Sequence, residues 1–150
     1  MIRRAGVEDA TVLARLLHDF NTEYEDFTPG VEALTAHYGE LLAAGELIAL
    51  IAGDGPDGFC QLRLKRSHYT GLPDAHIEEL YVVPSRRGQG SGRALLEAAM
   101  EAAREAGATH IELTTGESDT EALALYASAG FTNREGGPDG PRMLYFEREL

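Results

Sequence analysis

Apolar residues recur at helical spacing early in the chain, at Val12, Leu13, Leu16, Leu17 and Phe20, as one face of an amphipathic helix requires. Glu8 and Asp9 stand in front of them, where negative charge suits a helix N-terminus. Met1 to Ala5 reads as a short opening strand. Pro29-Gly30 breaks the pattern, and a second helix is predicted from about Val31 to Ala44, stopping near Gly45. From Glu46 the pattern shortens. Glu46 to Ala52 is an apolar strand, Gly53-Asp54-Gly55-Pro56-Asp57-Gly58 has the composition of a hairpin turn, and Phe59 to Lys65 returns as a strand. Phe59, Gln61 and Arg63 fall on one of its faces, with Cys60, Leu62 and Leu64 on the other. Ser67 to Pro73 reads as a loop. His76 to Val83 is a strand ended by Pro84. Simple alternation puts His76, Glu78 and Leu80 on one face and Ile77 and Glu79 on the other. Ser91 to Ala106 is a long helix closed by Gly107. His110 to Thr114 is a strand and Thr120 to Ala129 a helix. Phe131 to Arg134 and Met143 to Glu149 read as closing strands. This order is an α/β mixture around one mixed sheet.

Composition narrows the function classes. The 150 residues suit one domain spanning 1–150. No stretch has the apolar length of a membrane span, and no apolar core follows Arg3 and Arg4 as in a signal peptide, so a cytoplasmic protein is expected. The net charge of −12 argues against nucleic-acid binding. The basic residues gather in two groups, Arg63, Lys65 and Arg66, then Arg86, Arg87 and Arg93, an island fit for an anionic cofactor. Cys60 is the single cysteine and reads as a small apolar strand residue, with no base nearby in sequence to activate it. His18, His37, His68, His76 and His110 are not at metal-ligand spacing, so no metal is expected.

The segment Val83-Pro84-Ser85-Arg86-Arg87-Gly88-Gln89-Gly90-Ser91-Gly92-Arg93 lies between a strand and a helix. Its glycines let the backbone approach a ligand and adopt dihedrals other residues avoid. The turn opens on a helix N-terminus, whose unpaired N–H groups and dipole favour an anion. A diphosphate site is the physical expectation. A Walker loop would need Gly-Lys-Ser/Thr where Gly92-Arg93-Ala94 stands. The dinucleotide fingerprint would need a third glycine where Arg93 or Leu95 stands.

The turn resembles the acetyl-coenzyme A motif of the GNAT N-acetyltransferases, Arg/Gln-x-x-Gly-x-Gly/Ala, with Arg87, Gly90 and Gly92 in the fixed places. Glu79-Leu80-Tyr81-Val82-Val83-Pro84 is similar to that family's fourth strand. Ala122 to Phe131 is similar to its Ala-x-x-Leu-Tyr-x-x-x-Gly-Phe signature. The resemblance implies a GNAT fold: a central mixed, mostly antiparallel sheet flanked by helices and splayed between the fourth and fifth strands. It implies that Leu80, Tyr81 and Val82 offer main-chain contacts to pantetheine, while Gly88, Gln89, Gly90, Ser91, Gly92 and Arg93, with Arg87, hold the diphosphate. Asp119 stands where the family often has Asn, and a carboxylate cannot donate as an amide does, so it is carried over only as a minor cofactor contact.

The implied activity is acetyl transfer from acetyl-coenzyme A to a primary amine. Tyr126 matches the family tyrosine, and a phenol of pKa about 10 stays protonated to donate to the departing sulfur. The base is expected on the fourth strand, from His76, suited to neutral-pH proton transfer, or Glu78, if burial raises its pKa. A main-chain N–H at the splay, Val82 or a neighbour, would polarise the carbonyl. Acceptor contacts are expected from Asn21, Glu23, Tyr24, Glu25, Asp26, Phe27 and Tyr38, with His68 and Tyr69; acids and aromatics together suit a cationic small molecule. Two alternatives stand beside this reading: a noncatalytic acyl-coenzyme A sensor, and a transferase acting on proteins or peptides. No nucleic acid or membrane partner is expected. A homodimer agrees with family habit and has no sequence signal.

Overall fold

A computed structural model describes all 150 residues as two compact units, 1–113 and 114–150. The first holds a five-stranded sheet in the order β1 (Ile2–Arg4), β2 (Ile48–Ala52), β3 (Gly58–Arg66), β4 (Pro73–Val82), β5 (Ile111–Leu113). The first three pairings are antiparallel and β4–β5 is parallel. Helix α1 (Ala10–Glu23) and α2 (Val31–Ala43) cover one face. There Leu13, Ala14, Leu16, Leu34 and Tyr38 pack on Ala49, Ile51, Phe59 and Tyr81. The alternate residues, Leu50, Cys60, Leu62, Ala75 and Ile77, are buried with Leu95, Leu96 and Ala99 of α3 (Ser91–Glu105). A strand buried on both faces reads as a continuous apolar run, which is why Ile48–Ala52 carries no alternation.

The acidic start of α1 has a specific use. Asp9 is buried and accepts from both terminal nitrogens of Arg3 at 2.8 Å and from the Gly6 N–H at 2.9 Å. The Arg3 bond holds its carboxyl below the usual range despite burial. It ties β1 to the short 3-10 turn Val7–Asp9 that leads into α1.

Two sequence expectations about β4 need correction. The strand starts at Pro73, inside the stretch read as loop. It also carries a β-bulge: Gln61 pairs with Glu79 but Leu62 pairs with Ile77, so Glu78 is the extra residue. The bulge resets the alternation. Ile77 faces α3, whereas Glu78 and Glu79 both lie on the α1–α2 face, so His76, Glu78 and Leu80 do not form one row. Pairing with β5 covers only Ala75, His76 and Ile77. Beyond it β4 runs on to Val82 with its outer edge open, the splay expected of the fold.

In the second unit, α4 (Thr120–Ser128) forms as the pattern predicts. The two closing strands do not. Met143 N–H donates to Asn133 O at 2.6 Å and Arg134 makes an isolated bridge with Arg142. An alternating pattern makes a strand only where a neighbour supplies a ladder, and here pairing does not propagate beyond that bridge. No helix of the chain is long and apolar enough to cross a membrane.

Candidate functional site

The bulge at Glu78 decides which main-chain groups β4 presents at its open edge. Val83 N–H donates to Asp57 O at 2.9 Å, toward β3. By the alternation of an antiparallel ladder, Tyr81 also turns its main chain to β3, while Leu80 and Val82 turn theirs outward. Of the three residues expected to offer backbone contacts, the geometry thus presents Leu80 and Val82 at the edge and commits Tyr81 to the sheet. The close approach of β3 here needs Gly58, because a Cβ would sit against the Tyr81 carbonyl oxygen with Val82 Cα 3.1 Å away.

Past Val82, the 3-10 turn Pro84–Arg86 leads into the glycine-rich segment. Gly88 (φ 74°) and Gly90 (φ 86°) are in the left-handed region, with no atom within 4 Å of an added Cβ. Conformation, not crowding, demands glycine here, and the space above the turn is open. Gly90 is the N-cap of α3 and no side chain caps that end. The first-turn amides therefore keep donors for a ligand, beside the positive pole of a 15-residue helix. These features fit a coenzyme A diphosphate: amide donors in an open turn, continuous with the outward main chain of Leu80 and Val82.

The arginines do not form a bare positive island. Arg63 pairs with Glu78 at 2.8 Å, Arg86 with Asp57 at 3.3 Å, Arg87 with Glu23 at 2.8 Å and Arg93 with Glu97 at 3.7 Å. Arg87 also donates from Nε to Val82 O at 2.9 Å. The donors this turn leaves available lie in its main chain more than in net side-chain charge.

On the α1–α2 face, β4 offers a chain of polar groups. The Tyr38 hydroxyl donates to Gln61 Oε1, Gln61 Nε2 donates to Glu78 Oε1 at 3.2 Å, and Arg63 Nε donates to the same oxygen at 2.8 Å. Glu78, the expected carboxylate, is therefore exposed and ion-paired. Its neighbour Glu79 is the perturbed group: burial first, then the charges of Glu78 and Asp26, push it up to about 7. Sequence reasoning passed over Glu79 because regular alternation sends it to the opposite face, and nothing in the residue string marks the bulge. His76 lies opposite Arg63 with Nδ1 3.5 Å from Glu112 Oε1.

The residues expected to meet an acceptor separate into groups. Tyr38 is buried in the core, where desolvation raises its phenol. Glu23 is bound to Arg87 and accepts from the Tyr81 hydroxyl at 3.2 Å. Tyr24 and Phe27 are exposed beside Glu25 and Asp26, in a loop fastened by Asn21 Nδ2 donating to Phe27 O at 3.0 Å. His68 and Tyr69 lie against each other in the β3–β4 connection, ring centroids 4.1 Å apart with planes tilted by 37°. Cys60 is fully buried and its thiol is pushed up to about 12, which makes it inert.

Tyr126 and Asp119 belong to the second unit. Tyr126 is half-buried on α4 with its ring edge-on to Phe131 at 6.0 Å. Asp119 caps α4, its Oδ1 accepting from Ala122 N–H at 3.1 Å. That accounts physically for an aspartate at this position: the side chain satisfies a helix-end donor.

Comparison with known proteins supplies the chemistry of the fold. A model of the acetyltransferase (GNAT) family matches residues 13–131, across both units. The chain is 31% identical over 153 aligned positions to the aminoglycoside N(6')-acetyltransferase type 1 of Stenotrophomonas maltophilia, covering 99% of this chain and 93% of that one. It is 31% identical to the aminoalkylphosphonate N-acetyltransferase of Salmonella typhimurium, covering 87% and 83%. A crystal structure from Arthrobacter sp. FB24, assigned as an acetyltransferase, superposes with a TM-score of 0.92 at 40% identity, covering 100% and 96% of the two chains.

Proposed function

This chain is a GNAT-family acetyltransferase, an acetyl-coenzyme A-dependent N-acetyltransferase, and from that premise we propose that it acetylates a primary amine of a cationic small molecule, with 1–150 working as a single domain. The observation that carries the reading is the conjunction in β4: an open main-chain edge running into an uncapped glycine turn, and a half-buried carboxylate of near-neutral pKa on the same strand.

The cosubstrate supplies an acetyl group activated as a thioester. The amides of Gly88, Gln89, Gly90, Ser91, Gly92 and Arg93 would hold its diphosphate. Leu80 and Val82 would orient its pantetheine, with Val82 N–H donating to the carbonyl oxygen that gains charge during transfer. The amine must be neutral to attack. Glu79, tuned to about 7, suits the removal of its proton, with Glu78 and His76 on the same strand as further candidates for a relay. Tyr126 would protonate the departing sulfur, a role carried by its match to the family signature.

The acceptor class is supported by two features. Tyr24 and Phe27 lie exposed beside Glu25 and Asp26, a combination that attracts a cation. The two small-molecule relatives named above act on aminoglycosides and aminoalkylphosphonates. The test is thiol release from acetyl-coenzyme A with a panel of aminoglycosides, polyamines, aminoalkylphosphonates and peptides. Release that rises with an aminoglycoside or polyamine supports the proposal. Slow hydrolysis indifferent to every amine favours the sensor alternative, and a preference for peptides favours the protein-directed one.

A further inference from the structure

We propose that Glu23, the last residue of α1, is a positioning residue for the diphosphate turn and acts through Arg87. The inference rests on the reading that this turn takes coenzyme A.

Arg87 immediately precedes Gly88. Its backbone is extended (φ −71°, ψ 156°) as it leaves the Pro84–Arg86 turn. Its side chain folds back on the end of β4, with Nε donating to Val82 O at 2.9 Å and Nη2 donating to Glu23 Oε1 at 2.8 Å. The guanidinium lies 5.6 Å from the Tyr81 ring centroid. The Tyr81 hydroxyl donates to the same Glu23 oxygen at 3.2 Å, and the Tyr81 ring stacks on Phe20, centroids 4.8 Å apart and 15° from parallel. Glu23 thus joins the end of α1 to two pieces distant from it in sequence, the end of β4 and the start of the turn. Its side chain is 28% exposed and that of Arg87 36%. The pair is open to solvent, so its hold on the turn rests on the charge-assisted bond together with the Val82 and Tyr81 contacts, and each partner favours the charged form of the other.

This closure opposes two effects that a plain charge argument confuses. If Arg87 acted mainly as a point charge on the diphosphate, Glu23 would compete for it, and removing Glu23 would tighten coenzyme A binding. If Glu23 sets the path of the turn by holding Arg87 against Val82, removing it loosens the amides and weakens binding. The sign of the change separates them.

The experiment is calorimetric titration of coenzyme A into wild type, Glu23→Gln, Glu23→Ala, Arg87→Ala and the Glu23→Ala/Arg87→Ala pair, with melting curves for each. Glu23→Ala is expected to raise Kd about tenfold. Glu23→Gln, which keeps an acceptor for Arg87 and Tyr81, falls between it and wild type. The double variant binds no more weakly than Arg87→Ala alone, because both changes break one connection. With saturating acetyl-coenzyme A and the best amine, kcat of Glu23→Gln stays within about twofold while KM for acetyl-coenzyme A rises. Unchanged or tighter binding by folded Glu23 variants overturns the inference, as does full additivity in the cycle. Wild type that takes up no coenzyme A overturns instead the reading of the turn, and this inference with it.

Discussion

Replacing Glu79 by Gln isolates the cost of a half-buried carboxylate. Burial and two neighbouring acids raise Glu79 from 4.5 to about 7. A carboxyl whose folded value is raised binds its proton more tightly in the native state than in the unfolded one. Stability therefore falls as pH rises through the window from 4.5 to 7, and the penalty is absent below it. A shift of roughly 2.5 units corresponds to about 3 kcal/mol at full development above pH 7, an upper bound for a group that keeps some solvent contact. Glutamine preserves shape and cannot ionise. The gain of Glu79→Gln over wild type should be small at pH 5 and reach on the order of 2 kcal/mol at pH 8. For a chain of this length that widens the gap in Tm by roughly 4–8 °C. Urea denaturation of both proteins at the two pH values measures it. A gap independent of pH would refute the burial argument. In catalysis, the same variant should lose the limb of the kcat/KM profile centred near pH 7.

Tyr126→Phe should lower kcat on the order of 10²-fold with coenzyme A affinity unchanged; full turnover in a saturated enzyme removes the phenol from the mechanism. Gly58→Ala forces a methyl group against the Tyr81 carbonyl. It should destabilise the protein by about 1–3 kcal/mol in urea, and an unperturbed midpoint would show that β3 and β4 separate there without cost.

The elements whose sequence signal is local were legible from the residues. Helix α3 has its glycine cap, its apolar row and its stop at Gly107, so its bounds fall within a residue of expectation. The glycine turn announced its φ values through Gly88 and Gly90. What escaped depends on pairing between distant segments. The bulge at Glu78 arises from how β4 lies against β3, and it moves Glu79 to the face of α1 and α2 with a changed pKa. The Glu23–Arg87 bond spans two segments that no periodicity links. Met143 to Glu149 shows the converse case: its apolar character favours a strand, yet the backbone ladder that would define one is missing. The arginines looked like a shared positive patch in one dimension, and in three Arg63, Arg86, Arg87 and Arg93 each have a carboxylate.

The main-chain amides between Gly88 and Gly92 are the proposed receptors of the coenzyme A diphosphate. An NMR titration of the ¹⁵N-labelled protein with coenzyme A addresses those amides one by one. Large, saturable shifts at Gly88, Gly90, Ser91 and Gly92, accompanied by Leu80 and Val82, are the predicted result. Saturating ligand that leaves these resonances in place would contradict it.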